Sequence, residues 1–250
     1  MDGIITHSFG PHDAEYILGT GLLKVNPNTV AFMFGAAWDS PGSFSVYHYH
    51  FNHLATRPSS VTADNHALLF IDFVVNWAVG SIVRQRLWRP HTQADQLLHV
   101  ANARLCLPIF FIHSNGMVGV PLADAIQGRI NTLRRVDESP DMGNKSSTQI
   151  RVGWLGYKDW QRQIQIKDET PNKRPITLRR LVQHIGRAVD HFFSTKEEDL
   201  QRPSPDWRIN GHGGITREEI IVLGVIHVSS GSWMPLLQVT RNVPYVTPPF

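Results

Sequence analysis

The sequence predicts an α+β protein in which a mainly antiparallel sheet, built from hairpins, packs on a long and mostly buried helix. Three observations support this class. Several segments are rich in β-branched and aromatic residues, which is typical of strands. Short connections, many with glycine, join neighbouring segments of this kind and favour hairpins over parallel crossovers. Other segments repeat their apolar residues at the helical period.

Neighbouring strands account for most of the predicted sheet. Each candidate pair is separated by only a few residues, and the turn sequences contain Pro41-Gly42, Gly156 or Gly231. Short turns of this composition are typical of antiparallel hairpins. The predicted hairpins are 30–38 with 43–53, 150–154 with 160–166, and 220–228 with 233–240, and a further strand is predicted over 105–112.

The long buried helix is predicted over residues 66–88. Polar residues recur there about every four positions, beginning at Asp72 and ending at Arg84, and the rest is apolar. This spacing is typical of a narrow polar stripe on a helix rather than of strand alternation. Amphipathic helices with good first-turn residues are also predicted over 93–104, 121–136 and 178–194.

The composition supports one folded unit. The 250 residues are 42% apolar and 18% charged, which excludes disorder for most of the chain. We interpret residues 1–250 as a single α+β domain, in which the segment 137–148 is either a surface loop or a subdomain junction. No uncharged run has the uninterrupted apolar length of a membrane span. We therefore expect a soluble intracellular protein with no membrane partner, either cytoplasmic or nuclear.

Several common catalytic motifs are missing from the chain. It contains no phosphate-binding P-loop, no glycine-rich dinucleotide motif and no Gly-x-Ser-x-Gly element. The single cysteine, Cys106, lies in an apolar run, where a buried thiol is expected to be inert. The sequence therefore favours a non-enzymatic interaction domain that requires no cofactor.

A basic and aromatic face is predicted over residues 151–187. The segment from Arg129 to Arg187 has 13 Lys+Arg and 6 Asp+Glu, a net charge of +7. Basic residues beside aromatic rings are the ingredients of contacts with anions. The partner is left open between a protein, a nucleic acid and a small molecule, and a homo-oligomer is compatible with the sequence. The candidate contact residues are Arg151, Lys158, Arg162, Arg174, Arg179, Arg180, Arg187, Trp154, Tyr157 and Trp160.

A histidine metal site is the alternative interpretation. On a strand, His48 and His50 project from the same face, as a divalent transition metal requires of two neutral imidazoles. The glycine followed by His-x-His resembles the first motif of cupin metalloenzymes, although Leu54 and Ala55 stand where that motif has glutamate. With an open coordination position, such a metal centre could activate water or bind dioxygen, which is the chemistry of a hydrolase or an oxygenase. The candidate ligands are His48, His50, His53 and Asp72.

Overall fold

A computed structural model describes residues 3–24, 34–36, 43–48, 60–61, 67–199 and 203–244. Helix α2 (Pro11–Glu15) continues into a π-helical segment, Tyr16–Leu23, and helix α3 (Gln93–Gln96) continues into another, Leu97–Ala101. Short 3-10 turns cover Pro205–Trp207 and Arg217–Glu219. The α-helices are α1 (Ile4–Phe9), α2 (Pro11–Glu15), α3 (Gln93–Gln96), α4 (Leu122–Gln127) and α5 (Leu178–Thr195).

The described strands form two sheets. The strands are β1 (Phe34–Ala36), β2 (Ser43–His48), β3 (Ser60–Val61), β4 (Ala67–Phe73), β5 (Ile109–Phe110), β6 (Val120–Pro121), β7 (Ser147–Val152), β8 (Trp160–Gln165), β9 (Ile220–Ser229) and β10 (Ser232–Val239). The smaller sheet is antiparallel with the order β1-β2-β4-β3, and the larger has the order β5-β9-β10-β7-β8 with β6 paired to β9. Only the β7–β10 pair is parallel among the described strand pairs.

This arrangement confirms the α+β class and the predicted hairpins. The antiparallel pairs β1–β2, β7–β8 and β9–β10 lie in the predicted hairpin segments, and in the first of these the structure describes only Phe34–Ala36 and Ser43–His48. The described part of the chain has no helix long and apolar enough to cross a membrane.

The larger sheet separates two hydrophobic cores. Side chains of β10 alternate between them, with Trp233 on the side of α4 and α5 and Met234 on the side of α1 and α2. Strand β9 does the same, because Val222 and Leu223 belong to opposite cores. Strands buried on both faces have nearly continuous apolar sequences. The apolar runs 220–228 and 233–239 are therefore explained by helices that cover both sides of the sheet.

The predicted helix over 66–88 is wrong. Its first part is strand β4, and the chain beyond it is mostly extended, with isolated bridges at Ile82 and Gln85. The polar residues that suggested a stripe each have a separate partner instead. Asn76 accepts a hydrogen bond from Gln238 through its carbonyl oxygen, and Ser81 Oγ accepts one from the Val243 amide. The four-residue recurrence therefore reflects separate contacts with distant parts of the chain and not one side of a helix.

The other helix predictions succeed to different extents. The helix over 178–194 is confirmed as α5, with the Thr177 side chain accepting a hydrogen bond from the Arg180 amide. The helix predicted over 93–104 begins as expected after Thr92 and ends at Ala101. The helix predicted over 121–136 stops at Gln127, because Gly128 takes a left-handed conformation with φ of 73° and closes it.

The segment 137–148 lies against the start of α5. The Leu178 amide donates to the Glu138 carbonyl, and residues before and after the segment, such as Leu133 and Ile150, belong to one core. The division of the chain into domains stays a prediction.

Candidate functional site on helix α5 and strand β8

Helix α5 has three distinct sides. Its apolar side, which includes Leu181, Ile185 and Phe192, is fully buried in the core. A second side packs on α4, where a Cβ added to Gly186 would lie 2.9 Å from the Ala125 side chain. The third side faces strand β8, and it carries charged and ring side chains at helical spacing.

We call this third side, together with the adjoining part of β8, the basic stripe. Trp160 joins the two elements, because its ring lies 5.7 Å from the His191 ring and its Nε1 donates to Thr195 Oγ1 at 3.1 Å. Arg162 follows on the same face of β8 and lies near His184. The basic stripe consists of Arg180, His184, Arg187 and His191 of α5 with Trp160 and Arg162 of β8.

The basic stripe concentrates positive charge that nearby acids leave uncompensated. Arg162, Arg180 and Arg187 are exposed, and none of them forms an ion pair with any residue that the structure describes. His184 lies between them and is half-buried. Burial and the three arginine charges lower the pKa of His184 to about 4. The imidazole is therefore neutral at physiological pH, and the arginines form a local positive field.

Other predicted contact residues already have acidic or aromatic partners. Lys158 pairs with Glu197 at 2.7 Å, and Arg179 pairs with Asp137 at 3.2 Å. The Arg151 guanidinium lies 3.8 Å from the centroid of the Trp88 ring, and its Nε donates to a serine hydroxyl. Because their charges are neutralised by acids or stacked on a ring, we do not include these three residues in the basic stripe.

Two of the predicted aromatic contacts belong to the core. Trp154 and Tyr157 are each 1% exposed. Trp154 Nε1 donates to the Trp207 carbonyl oxygen, and the Tyr157 hydroxyl accepts from the Ile209 amide. Large rings with satisfied polar atoms are stable inside a core, so neither ring can stack on a partner. Arg174 is exposed in the loop before α5, where its backbone amide donates to Asp168.

The two predicted metal ligands that the structure describes, His48 and Asp72, lie in the smaller sheet. His48 ends β2 opposite Ala67, whereas Asp72 pairs with Phe44, so four residues, or roughly 13 Å along the strand, separate the two positions. His50 and His53 lie outside the described residues. Within the described residues, no group of three metal-binding side chains comes together. A site built on the three histidines stays a prediction.

Asp72 accepts backbone hydrogen bonds at the start of helix α1. Its Oδ1 and Oδ2 accept hydrogen bonds from the Ile5 amide at 3.1 and 3.2 Å, and Oδ1 also accepts from the Phe73 amide at 2.8 Å. Gly3, at the N-cap of α1, has no side chain to cap that helix. The carboxyl group therefore caps α1 from a neighbouring strand. Burial raises the pKa of Asp72 to about 7, although the amide hydrogen bonds oppose this shift.

Cys106 lies in a polar cluster that keeps its thiol protonated. Its Sγ is 3.7 Å from Asp141 Oδ1, and its amide donates to His227 Nδ1 at 2.8 Å. Burial, together with the Asp141 charge, raises the pKa of Cys106 to about 12. Because the imidazole nitrogen faces the backbone amide instead of the sulfur, the cluster lacks the arrangement of an activated nucleophile.

Native Cys106 is expected to resist thiol reagents. With a pKa of about 12, almost none of the thiol is ionised near pH 8, and the side chain is also buried. Iodoacetamide labelling followed by mass spectrometry should give a rate at least tenfold lower in native protein than in urea-unfolded protein. Equal rates in both states would contradict this assignment.

The sequence prediction missed the two histidines of the basic stripe. Arg180, His184, Arg187 and His191 are spaced at intervals of four, three and four residues, which places them on one side of a helix. That spacing was present in the sequence and would have identified the side, since α5 itself was predicted.

No protein-family model, curated protein or solved structure matches this chain. The function is therefore inferred from the residues of the described site.

Proposed function

We propose that this chain is an interaction domain that binds an anionic partner through the basic stripe. One observation carries the proposal: Arg162, Arg180 and Arg187 converge on His184, and no described acidic residue pairs with them. Arginine presents a planar set of donors that suits carboxylate and phosphate groups.

The arrangement is unfavourable for the isolated fold, which supports a functional explanation. Arg180 and Arg187 lie seven residues apart on one side of α5, and Arg162 lies near the same imidazole, so these like charges repel one another. Burial of His184 among them also disfavours protonation of the imidazole. By contrast, nearby Arg217 pairs with Asp190 and nearby Arg86 with Asp159 and Asp199. A bound anion would relieve the repulsion in the basic stripe.

Charge reversal in the basic stripe is expected to weaken anion binding at least tenfold. Fluorescence anisotropy would measure binding of a labelled glutamate-rich peptide, and separately of a labelled thymidine oligonucleotide, at about 50 and 200 mM salt. Binding by the wild-type protein should weaken as the salt concentration rises, because bound anions release counterions. Arg180→Glu combined with Arg187→Glu should remove most of the binding to whichever of the two probes the wild-type protein binds.

The matched control is Arg104→Glu combined with Arg134→Glu. Both are exposed arginines outside the basic stripe, and each double variant lowers the net charge from +3 by the same amount. The control should keep its affinity within about twofold. Equal losses in both double variants would show an effect of net charge alone, and the absence of binding to either probe at low salt would refute the proposal.

A further inference from the structure

We infer that the partner is an extended acidic peptide that adds as a strand to the outer edge of β8, beside the basic stripe. This inference rests on the proposed function and specifies its ligand. Strand β8 is the last strand on one side of the larger sheet, and no described strand pairs with its outer edge.

The backbone groups that point outward can be identified from the register. The Gln149 amide donates to Gly231 next to β10, so the backbone groups of its neighbours in β7 are directed towards β8. Those neighbours, Thr148 and Ile150, are opposite Ile164 and Arg162. The remaining residues of β8 therefore present their N–H and C=O groups to the free edge. These residues are Gln161, Gln163 and Gln165.

Short pairings flank β8 at both ends. Before β8, Tyr157 forms an antiparallel bridge with Glu198, and beyond it Lys167 forms one with Pro175. Between these bridges the three outward-facing glutamines are exposed. The open edge over 161–165 is about 17 Å long at 3.4 Å per residue, which is enough for a five-residue strand.

The charges beside the edge indicate which side chains the added strand carries. Side chains of a strand alternate between the two sheet faces. On the α5 face, a new strand would meet Arg162 together with Arg180 and Arg187, and on the opposite face it would meet the uncharged glutamines. The expected peptide therefore has Asp or Glu at every second position and uncharged polar residues between them.

The same contacts favour a peptide over a nucleic acid. Outward-facing N–H and C=O groups are satisfied by another peptide backbone, whereas binding of single strands relies on exposed rings for base stacking. Trp154 and Tyr157 are buried, and Trp160 has its indole nitrogen bonded to Thr195 and its ring against His191.

The test compares Gln163→Pro with Gln163→Ala. Proline removes the outward N–H and adds a ring at the edge, whereas alanine keeps the backbone donor, and neither changes a charge. Anisotropy would measure binding of a labelled nine-residue peptide of alternating Glu and Thr. We expect Gln163→Pro to bind at least tenfold more weakly than the wild type, and Gln163→Ala to bind within about twofold of it.

A peptide-side measurement covers the case in which Gln163→Pro does not fold, as judged by its circular dichroism and melting temperature. Two peptides, N-methylated either on every Glu or on every Thr, would be titrated against the wild-type protein. Only one set of amides in an added strand faces β8, so one peptide should lose at least tenfold in affinity and the other should not.

Equal affinity of both methylated peptides and the unmodified one would overturn strand addition, and so would equal binding by the two Gln163 variants. Preferential binding of the oligonucleotide would overturn it as well. In each case, a loss of binding in the Arg180→Glu, Arg187→Glu variant would leave the proposed function standing.

Discussion

Replacing Asp72 with alanine is expected to destabilise the protein by about 3 kcal/mol. The carboxyl group accepts hydrogen bonds from the amides of Ile5 and Phe73, and it lies at the beginning of α1. Alanine would remove this acceptor from the start of α1, and a buried donor left unsatisfied costs about 1–3 kcal/mol. Urea unfolding at about pH 6, followed by circular dichroism, would measure the loss.

Asp72→Asn is the control for this prediction, since it keeps an acceptor oxygen but cannot ionise. The pKa of Asp72 is about 7 in the folded protein and near its ordinary value of 3.8 in the unfolded chain. The folded state thus retains the proton over this range, so the Asp72 contribution to stability is full below about pH 4 and falls as pH rises towards 7. The stability of the wild type relative to Asp72→Asn should decrease over that interval. A constant difference would contradict the raised pKa of Asp72, and an alanine variant as stable as the wild type would contradict the capping role.

Protonation of His227 is expected to destabilise the fold by about 3 kcal/mol as pH falls from about 6.5 to 4. His227 is 5% exposed, stacks on the Trp233 ring with centroids 4.4 Å apart, and accepts the Cys106 amide hydrogen bond. Burial lowers the pKa of His227 from 6.5 to about 4. The unfolded chain therefore binds more protons in this window, so stability is lost on acidification.

His227→Gln should flatten the pH dependence, because glutamine keeps an acceptor for the Cys106 amide and does not titrate. The exposed His12 provides a matched control, and His12→Gln should follow the wild-type profile. Urea midpoints measured between about pH 4 and 8 would compare the three proteins. If His227→Gln and the wild type show parallel profiles, the folded protein does not hold this imidazole neutral.

The two hairpins of the larger sheet were predictable from sequence because their signals are local. The runs 220–228 and 233–240 combine β-branched residues with a turn at Gly231, and the helix after Thr177 has a complete apolar side. Residues 66–88 were predicted incorrectly because their polar positions depend on distant partners. Asp72 serves helix α1, and Ser81 bonds to Val243. A periodicity argument contains no information about such long-range contacts.

The candidate site was predictable only in part, because the sequence gives the charges but not the partners of each charge. Net positive charge over 129–187 indicated an anion-binding segment, but sequence could not show which charges are neutralised. Lys158 and Arg179 meet acids at positions 197 and 137, whereas Arg180 and Arg187 meet none among the described residues. In the sequence, Trp154 and Tyr157 are indistinguishable from Trp160 as contact residues, and only the structure shows that these two rings are buried.

Protection of individual arginines by bound ligand would test the basic stripe most directly, since it requires no substitution. Wild-type protein would be modified with phenylglyoxal, with and without saturating acidic peptide, and each site quantified by mass spectrometry. Arg162, Arg180 and Arg187 should be protected at least fivefold, while Arg104 and Arg134 react at the same rate in both samples. Protection of Arg104 and Arg134 with unchanged reaction at Arg180 and Arg187 would contradict the assignment of anion binding to the basic stripe.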